Sequence, residues 1–105
     1  MEVTLLYFDD CPNWRIADAH LRHLAVEDPR LTIRRVVVKT PEEAERAGFT
    51  GSPTILVEGS DPFAEPGAPT GLACRVYRTP EGLRGSPTLD QLRAAVGQPS
   101  STSDA

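Results

Sequence analysis

The sequence predicts a single α/β domain: a four-stranded mixed sheet flanked by helices, in the order β-α-β-α-β-β-α. Three observations carry that expectation. A continuous apolar, β-forming run opens the chain at Val3–Phe8. Apolar residues at helical spacing follow it directly, and a second β-branched run comes next, so the opening is a βαβ unit with a right-handed crossover and a parallel first pair. The length of 105 residues is that of one ordinary small domain, long enough to bury a core without cross-links.

Each element has a local reason. Val3–Phe8 lacks polar alternation, which fits a strand buried on both faces, and Asp9-Asp10 stops it. Pro12 suits the first turn of a helix, where a missing N–H costs nothing. From Asn13 to about Val26, the residues Ile16, Ala17, Leu21, Leu24 and Ala25 form an apolar stripe, and Asp28-Pro29 ends it. The second strand spans Leu31–Lys39, with Arg34 and Arg35 indicating an edge position or one exposed face. Thr40-Pro41-Glu42-Glu43 is a capping box with proline at N1, and Gly48 is the matching stop. Thr50–Thr54 leads tightly into a third strand, Ile55–Glu58.

Gly59–Ala73 reads as a long loop with one helical turn near Asp61–Ala64, where Phe63 is expected to dock as its anchor. Cys74–Arg78 reads as the fourth strand, forming an antiparallel ribbon with the third. Ser86-Pro87-Thr88 starts a last helix that carries Leu92, Ala95 and Val96 and stops at Gly97. Residues 1–97 form the expected domain. Residues 98–105, rich in Ser and Thr, form a tail expected to be disordered.

Composition narrows the function classes. Eleven Lys and Arg against fifteen Asp and Glu give a formal charge of −4, with no basic cluster to attract nucleic acid. No stretch approaches the ~20 apolar residues needed to span a bilayer, so no membrane partner is expected. No basic n-region or small-residue cleavage site follows Met1, which makes the cytoplasm the expected location. The two cysteines, Cys11 and Cys74, are there expected to be free, catalytic or metal-binding more readily than joined as a structural disulfide. Oligomeric state is not legible.

Three features then converge. Cys11-Pro12-Asn13-Trp14 places a thiol between the first strand and the first helix, Gly51-Ser52-Pro53-Thr54 precedes the third strand, and the element order covers roughly residues 2–97. Together they resemble the thioredoxin superfamily in its minimal, glutaredoxin-like form. A closer likeness is to small thioredoxin-like proteins sharing Cys-Pro-Asn, Ser-Pro-Thr, Asp-Pro-Phe-Ala and Cys-Arg-x-Tyr, here Cys11–Asn13, Ser52–Thr54, Asp61–Ala64 and Cys74–Tyr77. Some of those carry an alkylmercury-lyase label. The resemblance implies a cis Ser52–Pro53 bond facing Cys11, with Ser52, Pro53 and Thr54 as a backbone platform for substrate or glutathione, and Pro12 and Trp14 beside it.

A thiol at a helix N-terminus is drawn toward the reactive thiolate. Asp9 and Asp10 oppose that shift, and Arg15 could offset them. Trp14 stands where the family has its resolving cysteine, so a local dithiol cycle is impossible. The leading expectation is thus a monothiol redox protein with Cys11 as nucleophile. It has no bound metal or organic cofactor, glutathione as cosubstrate, and protein or small-molecule thiols and disulfides as partners.

Cys74 is the remaining candidate for a second thiol. The topology puts it at the end of the sheet away from Cys11, beyond the roughly 7 Å between Cα atoms that a disulfide tolerates, unless the Gly59–Ala73 loop shifts the start of its strand. Two alternatives stand beside the redox reading. One is organomercurial cleavage by Cys11 and Cys74 with a proton from Asp9 or Asp10. The other is a thioredoxin-like binding module without catalysis. His20 and His23 read as a solvated helix face, Arg30, Arg34, Arg35 and Lys39 as an exposed stripe, and one of Asp9 and Asp10 as a helix cap.

Overall fold

The computed structural model describes residues 1–97. The expected tail, 98–105, lies outside the described residues. A three-stranded sheet forms the centre, from β1 (Glu2–Tyr7), β2 (Thr32–Val37) and β3 (Thr54–Val57) in the order β2-β1-β3. β1 runs parallel to β2 and antiparallel to β3. The apolar opening run is therefore the central strand, with Val3 and Leu5 fully buried. β2 is an edge strand with most side chains exposed, which accounts for its arginines.

The helices are α1 (Trp14–Glu27), α2 (Pro41–Ala47) and α3 (Leu89–Ala95). α1 and α3 cover one face of the sheet, where Leu21, Leu24 and Leu92 meet Val3, Leu5 and Ile55. On the other face Leu6 and Val38 pack with Ala44 of α2 and with Phe49. A fully buried leucine or phenylalanine stabilises by about 1.5–3 kcal/mol relative to exposure, so this alternation along β1 fixes both layers.

Capping explains the helix ends. Thr40 accepts from Glu43 N–H, Gly48 closes α2 in the left-handed conformation, and Thr88 with Gln91 forms a reciprocal capping box on α3. The Glu43 carboxylate accepts from Lys39 N–H, one residue before the partner that a capping box would use. At α1 the cap is Asn13, whose side chain makes no capping hydrogen bond. Neither Asp9 nor Asp10 fills that role.

The expected four-stranded sheet is not formed. β4 (Tyr77–Thr79) pairs antiparallel with β5 (Gly82–Arg84) as a separate two-stranded ribbon. The Thr79–Gly82 turn closes this hairpin. Thr79 donates to Gly82 O and accepts from Glu81 N–H, and Gly82 takes the positive φ of 100° that such a turn needs. The residues expected to open the fourth strand, Cys74–Val76, leave the sheet and lie elsewhere, with direct consequences for the site.

The basic stripe is also more structured than expected. Arg35 of β2 and Arg22 of α1 both reach the buried carboxylate of Asp18, while Arg30 pairs with Asp28 and Arg34 with Glu2. The Asp18 contacts tie α1 to the sheet edge.

Candidate functional site

Cys11 lies three residues before α1, in the turn that leaves β1. Its N–H donates to Phe8 O at 3.0 Å, and only 1% of the residue is exposed. Phe8 N–H in turn donates to the Ser52 hydroxyl at 3.0 Å. This seats the end of β1 against the segment that precedes β3. The Ser52–Pro53 peptide is cis, as the resemblance implied, and Cys11 Sγ lies 3.8 Å from Ser52 O.

Cys74 joins Cys11 in a disulfide with a Cα–Cα distance of 5.8 Å across a separation of 63 residues. This corrects the expectation that the two lie at opposite ends of the sheet. The cause is the path of residues 73–75, which run alongside Ser52 instead of pairing with β3. Ser52 N–H donates to Ala73 O at 2.7 Å, and Arg75 N–H donates to Ser52 O at 2.9 Å. The result is an isolated parallel bridge between Ser52 and Cys74.

Gly51 permits this approach. Its φ is +124°, and a Cβ there would come within 2.8 Å of the Arg75 Cβ and 3.3 Å of Ala73 O. Any larger residue would push the Cys74 segment outward.

Arg75 holds the segment from its far side. It is 8% exposed, and its guanidinium donates to Asp61 at 2.8 Å, Phe63 O at 2.5 Å and Thr50 Oγ1 at 3.3 Å. It also stacks 4.5 Å from the centre of the Tyr77 ring. A buried arginine is tolerated only when its charge and donors are matched in this way. Asp61 accepts from Phe63 N–H as well, and Phe63 meets Tyr77 edge-on at 5.5 Å between centroids. Phe63 thus anchors the loop as expected. Tyr77 donates its hydroxyl to Pro53 O, and its burial pushes its pKa well above the ordinary tyrosine value.

The structure thus brings Cys11, Ser52, Pro53 and Cys74 together. Ser52, Pro53 and Thr54 are all buried, and Thr54 donates its hydroxyl to Gly51 O at 2.6 Å. The Ser52 backbone, expected to hold a substrate, is taken on both its N–H and its C=O by the chain's own residues 73–75. Trp14 stacks on Tyr7 at 4.3 Å between centroids, and the Arg15 guanidinium sits 5.6 Å over the Trp14 ring, so Arg15 is engaged there. Pro12, Asp9 and Asp10 are exposed.

Both histidines lie on α1. His23 pairs with Glu27 at 3.1 Å, and partial burial lowers the His20 pKa, with His23 adding to the effect. Among the described residues no group of three His, Cys, Asp or Glu side chains is placed to hold a metal ion.

Sequence reasoning missed Arg75, Tyr77, Asp61 and Gly51 as the parts that position Cys74. A signal was present. Asp61–Ala64 and Cys74–Tyr77 stood out as separate strings, and they interlock as Asp61 with Arg75 and Phe63 with Tyr77. Comparison of the chain with protein-family models, curated proteins and solved structures gives no match.

Proposed function

We propose that this protein is a thiol–disulfide redox protein of thioredoxin-like type that cycles between the Cys11–Cys74 disulfide and the paired thiols. The observation that carries the reading is the pairing of a buried cysteine at the end of β1 with a second cysteine held beside a cis-proline segment. One partner, Cys74, is exposed while the other, Cys11, is buried. The cycle replaces the monothiol scheme, because Cys74 supplies the second sulfur that Trp14 denies locally. Glutathione or a protein dithiol is the reductant in this scheme, and no bound cofactor takes part.

The test is a redox titration of the folded chain against glutathione buffers, read by thiol alkylation and mass. The two cysteines are expected to titrate together as one two-electron couple while far-ultraviolet circular dichroism stays native. A disulfide reduced only after the chain unfolds would reduce the pair to a structural cross-link, and would favour the binding-module reading.

The same juxtaposition supports a second reading. Once reduced, Cys11 and Cys74 offer two soft thiolates at one place, the donor set that mercury prefers, with Asp9 or Asp10 as the proton source for a leaving carbanion. Release of the hydrocarbon from an organomercurial by the reduced protein, lost in Cys74→Ser, is the outcome this reading requires.

A further inference from the structure

We infer that Cys74, and not Cys11, is the sulfur at which an external thiol enters the cycle, with Cys11 as the leaving and resolving thiol. The inference rests on the redox reading above and assigns direction to it. The two halves of the disulfide differ sharply in access. Cys11 is 1% exposed, whereas Cys74 lies on the outer side of the bridge and is exposed.

Thiolate attack on a disulfide is in-line, with the nucleophile, the attacked sulfur and the leaving sulfur nearly collinear. A nucleophile aimed at Cys11 Sγ must therefore come from the side opposite Cys74, at a residue that is 1% exposed and has Ser52 O 3.8 Å from its sulfur. One aimed at Cys74 Sγ comes from the side opposite Cys11, at a residue that is exposed. Access and the identity of the attacked sulfur together govern the exchange rate. The Ser52 backbone edge is already paired with residues 73–75, so no docking along it can bring a thiol to Cys11 first.

The step balances as a two-electron exchange. A thiolate RS⁻ attacks Cys74 Sγ, the R–S–Sγ bond forms, and the Cys11–Cys74 bond breaks with its electron pair on Cys11 Sγ. The new Cys11 thiolate lies near the N-terminus of α1, and on taking a proton it can donate to Ser52 O. A second thiolate RS⁻ then attacks the R-bearing sulfur. RSSR leaves, and the pair of electrons remains on Cys74. In reverse, the Cys11 thiolate attacks Cys74 Sγ of a mixed disulfide and expels the bound thiol.

The test uses the full chain with glutathione as the thiol. Oxidised wild-type protein is treated with limiting glutathione, quenched in acid and alkylated, and its peptides are mapped. Glutathione is expected on Cys74 and the alkyl label on Cys11. In parallel, oxidised glutathione is offered to the two single variants under native conditions. Cys11→Ser should acquire one glutathione at least about tenfold faster than Cys74→Ser, because only Cys74 is open to attack.

Glutathione on Cys11 in the wild type, or equal rates in the two variants, overturns the assignment and leaves the redox reading standing. No exchange below the unfolding transition overturns both. A single variant that fails to fold leaves the wild-type mapping to decide.

Discussion

Reducing the disulfide, with no change in sequence, should cost the fold about 4 kcal/mol. The magnitude follows from loop closure. The bridge spans 63 residues, and the chain-entropy relation for a loop of that length gives about 4 kcal/mol at 25 °C. A small domain has only about 5–15 kcal/mol in total, so the reduced protein remains folded with a much thinner margin. With a urea slope of about 1–3 kcal/mol/M, the midpoint should fall by roughly 1.3–4 M. Paired urea curves with and without reductant measure this directly.

Cys74→Ser is the control. Its exposed side chain contributes little packing, so the variant should match reduced wild type to within about 0.5 kcal/mol. Cys11→Ala removes a buried sulfur as well and should fall further. A loss below about 1 kcal/mol on reduction would refute the reasoning, since it would mean the bridge does not restrict the unfolded chain as its span requires. By the same cycle, bridge closure is about a thousandfold more favourable in the folded chain than in the unfolded one.

Two further perturbations probe how Cys74 is positioned. Gly51→Ala combines a φ of +124° with a Cβ only 2.8 Å from that of Arg75, and should cost about 2–4 kcal/mol. Gly48→Ala, at a φ of +69° in open space, should cost about 1 kcal/mol. Equal costs in thermal or urea unfolding would remove the close approach of residues 73–75 as the cause.

Tyr77→Phe leaves Pro53 O without its donor and should cost about 1–3 kcal/mol at neutral pH. Because the folded pKa of Tyr77 lies above the unfolded value of 10.0, its contribution is complete below pH 10 and declines as pH rises beyond it. The variant's stability should therefore fall less steeply than that of wild type above pH 10, and parallel curves would contradict this.

Much of this protein was determined by local sequence. The apolar run of β1 forms the central strand because it can be satisfied only by burial on both faces. Thr40 with Gly48, and Thr88 with Gln91, set two helices through caps that act within four residues. Arg34 and Arg35 marked β2 as a strand at an edge or with one exposed face, because charged side chains need solvent or a partner. Cys11 before α1 and the Ser52–Pro53 segment were visible as short strings, and their mutual approach was what the resemblance implied.

Tertiary structure decided the rest, above all the partner of Cys11. Where Cys74 sits depends on forces that no local pattern contains. The backbone of Ser52 pairs across 22 residues, Gly51 leaves room where a side chain would clash, and the charge of Arg75 is buried only because Asp61, Phe63 O and Tyr77 surround it. Alternation in Cys74–Arg78 suggested a strand added to the sheet. That pattern scores side chains one at a time, whereas the buried guanidinium and the Pro53 carbonyl draw this segment toward the cis-proline loop. The sequence placed one sulfur at the end of β1, and only the folded loop brings the second sulfur to meet it.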